Sequence, residues 1–346
     1  MYAEQVTTVK RVAILGGSGY TGAELLRLLS SHPAFEVAAV TAASQQGRAV
    51  ADLYPSLAAA YPELHYSTNE VASVAGADLV FCALPHGASQ RLVPSLLDEV
   101  GHVVDLAADF RLKEAALYPQ WYGEEHTCPE LLADAVYGLP ELDRSALPGA
   151  RLVAAAGCYV TAATLALAPL VRTGAVEPTG IVVDAASGVS GAGRKLAETT
   201  QFCAVDEDFT AYSLLTHRHT PEMEQAIGAQ LLFTAHLAPM NRGILATCYA
   251  RPRDPHAASS PLEVLAESYR DEPFVVVSER PPSTKAALGS NVAYVTARFD
   301  TRTGWVVSLC ALDNLVKGAS GQAVQCANLV MGRPETEGLP LAGLQP

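Results

Sequence analysis

The residue with the clearest chemical potential is Cys158. Residues 151–156 read as a short buried strand, Gly157 follows, and residues 159–170 read as a helix with Thr161 and Thr164 near its start. That spacing puts the thiol at the carboxyl end of a strand and the amino end of a helix. Free N–H groups and the helix dipole there favour a thiolate over the thiol, whose ordinary pKa is about 8.5. Gly157 leaves room for a carbonyl group to approach the sulfur. A thiolate can attack an activated acyl group and hold it as a thioester, which then accepts hydride from a reduced nicotinamide to give an aldehyde. Taken alone, the position equally suits a small buried cysteine at a tight junction.

Two downstream segments supply what such chemistry needs. Residues 184–195, DAASGVSGAGRK, leave a strand as a Gly/Ser-rich loop that ends in Arg194 and Lys195. Its amides, with either cation, suit an anion such as a departing phosphate, and Ser187 and Gly188 at its start are expected beside the cofactor. His217-Arg218-His219-Thr220-Pro221-Glu222 precedes a helix that Thr220 is expected to cap and Pro221 to start. A histidine here is the candidate acid–base, protonating a developing alkoxide or activating the thiol. His217 ranks first and His219 second, because spacing alone does not decide between them.

The cofactor signal lies upstream. Gly16-Gly17-Ser18-Gly19-Tyr20-Thr21-Gly22 joins the first strand to the first helix, the context in which glycines let a backbone approach a pyrophosphate. It parses as G-x-G-x-x-G from Gly17 or G-x-x-G-x-x-G from Gly16. After the second strand no acid follows in Ala42-Ala43-Ser44-Gln45-Gln46-Gly47-Arg48. Ser44 and Arg48 suit a 2′-phosphate, so NADP(H) is expected rather than NAD. Leu84, Pro85 and His86 follow another strand of the same sheet and are expected at the cofactor too.

These residues need a scaffold that gathers strand ends. In the first half, apolar runs at 11–15, 35–41, 78–84, 102–106 and 151–156 alternate with helical patterns at 23–31 and 89–97. That is the pattern of a doubly wound α/β sheet. Beyond residue 178, runs at 180–186, 230–237, 244–251, 274–277, 292–299 and 305–312 follow mostly without helices, the last two joined across 300–304 as a hairpin. We expect an α/β Rossmann-like dinucleotide-binding domain and an α+β catalytic and dimerisation domain with a mixed or antiparallel sheet. Residues 317–331 return to helix, while 253–260 and 333–346 are Pro-rich, polar and expected to be peripheral.

Composition narrows the function classes. The 346-residue chain is 49% hydrophobic and 17% charged, so it has material for packed cores. Its net charge of −13, with no basic stripe, argues against nucleic acid. No apolar run approaches the roughly 18–20 residues of a membrane span, and no signal peptide is evident, so a soluble cytoplasmic protein is expected. Seven dispersed cysteines with no C-x-x-C pair argue against a disulfide framework or structural metal.

The motifs together resemble the N-acetyl-γ-glutamyl-phosphate reductase family of arginine biosynthesis, related in architecture to aspartate-semialdehyde dehydrogenases. The likeness runs through GGSGYTGAELLRLL, ALPHG (83–87), DLAADFRL (105–112), YGLPEL (137–142), AGCYVTAATLAL (156–167), DAASGVSGAGR, HRHTPE, PMNRGI (239–244) and DNLVKGASGQAVQ (313–325). The resemblance implies Cys158 as nucleophile, NADPH as hydride donor and an acyl phosphate as substrate. It also implies a histidine of HRHTPE as acid–base, Arg111, Arg194 and Arg242 as candidates for the substrate's anionic groups, and Asn314 near the nicotinamide. It further implies a cofactor domain of residues 1–157 and 318–346, a catalytic domain of 158–317, and a homodimer or homotetramer joined through second domains. The rival readings are a reductase of an aspartyl or aminoadipyl phosphate, and a non-catalytic NADP-binding sensor.

Overall fold

The computed structural model describes residues 9–254 and 260–345. Seven strands form the first sheet: β1 Lys10–Leu15, β2 Phe35–Thr41, β3 Tyr66–Ser67, β4 Leu79–Cys82, β5 His102–Asp105, β6 Val136–Gly138 and β7 Leu152–Ala155. All are parallel, in the order β3-β2-β1-β4-β5-β7-β6. Alternation splits each strand between two cores. Val12 and Ile14 face Val324 and Ala327 of the helix Gly321–Val330, whereas Ala13 and Leu15 face Val93 and Leu96 of the helix Ser89–Glu99. Burial on both faces is why these strands read as unbroken apolar runs. The edge strands β3 and β6 escaped that reading, being two and three residues long.

The second sheet contains β8 Ile181–Gly188, β9 Thr210–Tyr212, β10 Leu231–Ala238, β11 Ile244–Ala250, β12 Val275–Val277, β13 Ala293–Asp300 and β14 Trp305–Leu312. Its order is β12-β13-β14-β11-β8-β10-β9. It is mixed: β8/β10 and β12/β13 run parallel, and the remaining pairs antiparallel. The β13–β14 hairpin pairs Asp300 with Trp305, as the turn-rich spacing suggested. The expected helix after HRHTPE is present as His219–Ile227, before β10, and a further helix not read from the sequence, Pro261–Ser268, precedes β12.

One face of the second sheet is covered by the helix Cys158–Arg172. Every residue from Tyr159 to Leu170 in it is buried. A helix apolar all round belongs at the centre of a core, and here it packs among Val183, Ala246 and Val295 of the sheet and Met223 and Ile227 of the neighbouring helix. The nucleophile candidate is its first residue. On the other sheet face, side chains such as Val182, Thr247 and Tyr249 are half-exposed and Leu232 is exposed.

The chain returns to the first sheet after β14. Asp313 accepts N–H bonds from Gly289, Leu315 and Val316 at 2.7, 2.9 and 3.2 Å. The expected helix over 317–331 begins instead as a π-helical turn, Val316–Ser320, before the α-helix Gly321–Val330. In that turn Gly318 lies so close to Cys158 that an added Cβ would stand 2.8 Å from the cysteine's own Cβ. The tail beyond 333 is not peripheral. Leu339 is buried in the first core, Glu335 holds Arg144 at 3.0 Å, and Gly338 packs against the His32 ring. Residues 255–259 of the other polar segment lie outside the described residues.

A buried ion pair fixes this return. Lys317 Nζ donates to Glu141 Oε1 at 2.7 Å and to Gln325 Oε1 at 2.8 Å, with both charged side chains fully buried. Removing one partner strands the other charge in the core. Lys317→Met should therefore lower stability by about 3–5 kcal/mol in urea unfolding. The double variant with Glu141→Gln should recover part of that loss, and equal stability of Lys317→Met and wild type would refute the assignment.

Candidate active site

Gly157 caps the central helix with extended backbone, and its carbonyl accepts the Thr161 N–H at 2.8 Å. Cys158 is thereby fixed at the first turn, half-exposed, with its Sγ near the N–H groups of Tyr159 and of Cys158 itself. The net electrostatics differ from the sequence expectation. Burial pushes the thiol above its ordinary range, while Arg111 and the two amides pull it down and Glu222 adds to the rise. Desolvation outweighs the helix terminus, so the resting group is a thiol.

One carboxyl organises what surrounds it. Glu222 Oε1 accepts the Gly157 N–H at 2.9 Å and the Tyr137 hydroxyl at 2.8 Å, and Oε2 faces Arg111 Nη1 at 3.4 Å. Arg111 Nη2 donates to the Leu106 carbonyl at 2.7 Å. Burial works against the guanidinium charge, and Glu222 together with Tyr122, Tyr137 and Asp105 more than offsets that. Both side chains are buried, so the junction between β7 and the helix is tied to the loop after β5 and to β6.

The two histidines separate by environment. The ring of His219 is buried, and a Cβ on Gly157 would lie 2.6 Å from its Nε2 and 2.9 Å from Arg111 Nη1. Its Nδ1 is buried without a hydrogen-bond partner. His217 sits among Tyr159, Tyr212 and Phe233 with ring centroids 5.1–5.5 Å away, and its Nδ1 accepts the His219 N–H at 3.1 Å. Burial and Arg218 push His217 down to about 4. Burial, aided by His217, Arg111 and Arg218, takes His219 well below the ordinary value. The helix starts at His219, with Arg218 at the cap position and no side-chain cap, so Thr220 does not cap it and Pro221 is its third residue.

Cys158, His217 and His219 line one cavity of about 620 Å³. Hydroxyls of Thr199, Thr200, Thr210, Tyr212, Ser213 and Thr216 contribute to its wall, together with Trp121, Ser187 and Leu237. Among the described residues its one cationic lining residue is Arg218, to which the sequence alone assigned no role. The three arginines singled out earlier lie elsewhere. Arg111 stands behind Gly157, engaged as above. Arg242 is taken up by Glu24 at 2.8 Å and Asp313 at 3.5 Å, bridging the first helix to the end of β14. Arg194 Nε donates to the Ser18 carbonyl at 2.7 Å, at the glycine turn.

The cofactor residues gather where β1 turns from β2 to β4, the switch point at which open α/β sheets bind ligands. The glycines divide their work. Gly16, at φ +83°, packs on the Ala83 carbonyl, Gly17 on Val40, and Gly22 on Gly17, whereas a Cβ on Gly19 would meet open space. Gly19 caps the helix Tyr20–Leu29, whose first amides no side chain satisfies. Ser18, Tyr20 and Thr21 lie in the same turn. Past β2, Ser44 and Arg48 are exposed in a loop, 42–48, that carries no acid; Arg48 is steadied by Gln45 at 3.0 Å and the Asp52 carbonyl at 2.8 Å. The open turn and this basic loop fit NADP. Leu84 is buried, Pro85 exposed, and His86 Nδ1 is held 2.5 Å from Asp109, so that histidine anchors its loop. Across the crevice, Asn314 donates to Ser190 Oγ at 2.9 Å and accepts the Gly243 N–H at 2.7 Å. Gly188 packs on the backbone of Asn241 and Arg242, and Gly191 leans on Ser187 and Asn314.

Comparison with known proteins agrees with this geometry. The family "Semialdehyde dehydrogenase, NAD binding domain" matches residues 11–150, and "Semialdehyde dehydrogenase, dimerisation domain" matches 158–314. N-acetyl-gamma-glutamyl-phosphate reductase of Magnetococcus marinus is 47% identical over 95% of this chain and 97% of its own. The protein of that name from Geobacter sulfurreducens is 47% identical over 96% and 98%. The chain belongs to the N-acetyl-gamma-glutamyl-phosphate reductase family. The fold of this reductase-family member is that of aspartate semialdehyde dehydrogenase II from Vibrio cholerae, TM-score 0.69 at 16% identity over 93% of this chain and 98% of that one. The NADP-bound aspartate semialdehyde dehydrogenase of Candida albicans also gives 0.69, at 15% identity and the same coverage.

Within this reductase-family site the charges around Sγ have opposite signs, which makes the thiol's titration testable. Glu222→Gln removes a charge that raises the Cys158 pKa, so the pH profile of iodoacetamide alkylation at Cys158 should move to lower pH. Arg111→Met removes a charge that lowers it, and the profile should move to higher pH. Shifts in the same direction would contradict the arrangement; thermal melts check that both variants fold.

Proposed function

We propose that this protein reduces N-acetyl-γ-glutamyl phosphate with NADPH, releasing N-acetylglutamate semialdehyde and phosphate. The observation that carries the reading is the meeting of Cys158, His219 and Arg218 on one cavity, one wall of which belongs to the loop that reaches the glycine turn through Arg194 and Ser18. The resting pair is a thiol and a neutral imidazole. As Sγ attacks the acyl carbon, His219 Nε2 takes the thiol proton. The carbon–oxygen bond to phosphate breaks, and the acyl group rests on Cys158 as a thioester. Bound NADPH supplies the hydride that reduces this carbonyl carbon. His219 returns its proton as the carbon–sulfur bond breaks, so aldehyde leaves and the thiol is restored.

His219, rather than His217, takes this role because its Nε2 overlooks Gly157 while its Nδ1 is unspent. His217 orients it through the His219 N–H. Arg218 receives an anionic group of the substrate. Arg111 steadies the developing thiolate from behind Gly157. Ser44 and Arg48 take the 2′-phosphate, and Ser187 and Asn314 border the nicotinamide. The protein acts as a homo-oligomer, for which the half-exposed face of the second sheet offers the apolar surface; all seven cysteines are unpaired, which suits the cytoplasm.

The reverse reaction tests this directly. N-acetylglutamate semialdehyde, phosphate and NADP⁺ should give NADPH with wild type, none with Cys158→Ala, and a KM for semialdehyde or phosphate raised about tenfold or more in Arg218→Ala. Turnover without phosphate, full activity of Cys158→Ala, or a higher kcat/KM for the aspartate or aminoadipate semialdehyde would overturn it.

A further inference from the structure

The loop between β8 and β9 joins two places. At its root the Val189 and Ser190 N–H groups donate to the Met240 and Asn241 carbonyls at 2.9 and 3.1 Å, and Ser190 Oγ receives Asn314. Gly193, at φ +82°, then turns the chain towards the first domain. Arg194 is half-buried there, with Nε on the Ser18 carbonyl. The Tyr54 hydroxyl donates to the same carbonyl at 2.9 Å. A few residues on, Thr199 and Thr200 line the Cys158 cavity.

We propose that Arg194 is a cofactor residue delivered by the second domain, its guanidinium meeting the pyrophosphate of NADP above the glycine turn. This rests on the reading of that turn as the dinucleotide site. Three observations carry it. The cation is absent from the cavity wall that holds Cys158, so it is misplaced for the acyl substrate. Its Nε is spent on the carbonyl of Ser18, the residue next to Gly19, which is the one glycine of the turn that faces open space. Tyr66, whose hydroxyl is buried without a partner, lies within electrostatic reach of Tyr54, Arg194 and Arg48, so a polar corner awaits an anion there. An arginine gives phosphate oxygens paired, charge-assisted N–H bonds, and a dinucleotide bridging both domains through it would hold the Thr199–Thr200 wall in place.

The test is the binding of NADPH and NADH, by nicotinamide fluorescence without acyl substrate, to wild type, Arg194→Ala and Arg194→Lys. Arg194→Ala should raise the Kd for both dinucleotides by the same factor, about tenfold, with partial recovery in Arg194→Lys. In the reverse assay its KM for phosphate should stay within about twofold of wild type. A loss confined to NADPH would place the guanidinium at the 2′-phosphate and overturn the pyrophosphate assignment. Unchanged Kd with a raised phosphate KM would return Arg194 to the substrate. Failure of wild type to bind either dinucleotide would instead defeat the reading of the turn itself.

Discussion

Four elements of this site meet at the Glu222 carboxyl. It holds the Gly157 N–H that ends β7, the Tyr137 hydroxyl from β6, and Arg111 from the loop after β5, while rising one turn after His219 on its own helix. A buried carboxyl is costly unless every lone pair is used. Here its hydrogen bonds are the coordinates of the active site. Because Glu222 belongs to the second domain and Gly157, Tyr137 and Arg111 to the strands and loops of the first sheet, these bonds also fix one domain against the other beside Cys158.

The same economy governs the glycines. Gly157 must be bare because the His219 ring and Arg111 occupy the space where a Cβ would go, and Gly318 must be bare because the C-terminal turn passes against Cys158. The nucleophile is thus enclosed by backbone on two sides and opens only towards the cavity. Enclosure explains why the thiol stays protonated despite its helix terminus. Desolvation acts on the whole charge, whereas the Arg111 guanidinium and two amides only partly compensate. A protonated thiol paired with a neutral imidazole carries its reactivity in the proton transfer, not in a standing thiolate.

Much of this was legible beforehand. The switch-point turn, the strand–Gly–Cys–helix junction and the HRHTPE segment each carry local signals, and apart from the short β3, β6 and β9 the strands of both sheets fall where their apolar runs put them. What escaped has physical reasons. The sequence cannot show that Glu222 reaches Gly157, since the two lie 65 positions apart and only tertiary packing brings them together; its one hint is the i, i+3 spacing from His219, which shares a helix face. Arg218 has no spacing signal of its own between the two histidines, and the resemblance that implies Arg242 as a candidate carries no sign that Glu24 and Asp313 claim it. The tail beyond 333 reads as peripheral because Leu339, Leu341 and Leu344 are scattered among prolines, glycines and acids, with no periodicity to detect. Edge strands of two or three residues have no period to detect.

The central claim is that Cys158 carries the acyl group, with its proton handed to His219. Mixing the protein with N-acetyl-γ-glutamyl phosphate in the absence of NADPH, quenching in acid and mapping peptides by mass spectrometry tests it most directly. The account predicts an N-acetylglutamyl adduct on the Cys158 peptide that is lost when NADPH is added before the quench, and that forms much more slowly in His219→Asn. An acyl group on any other residue, or reduction by wild type with no adduct at Cys158 under any quench time, would contradict it.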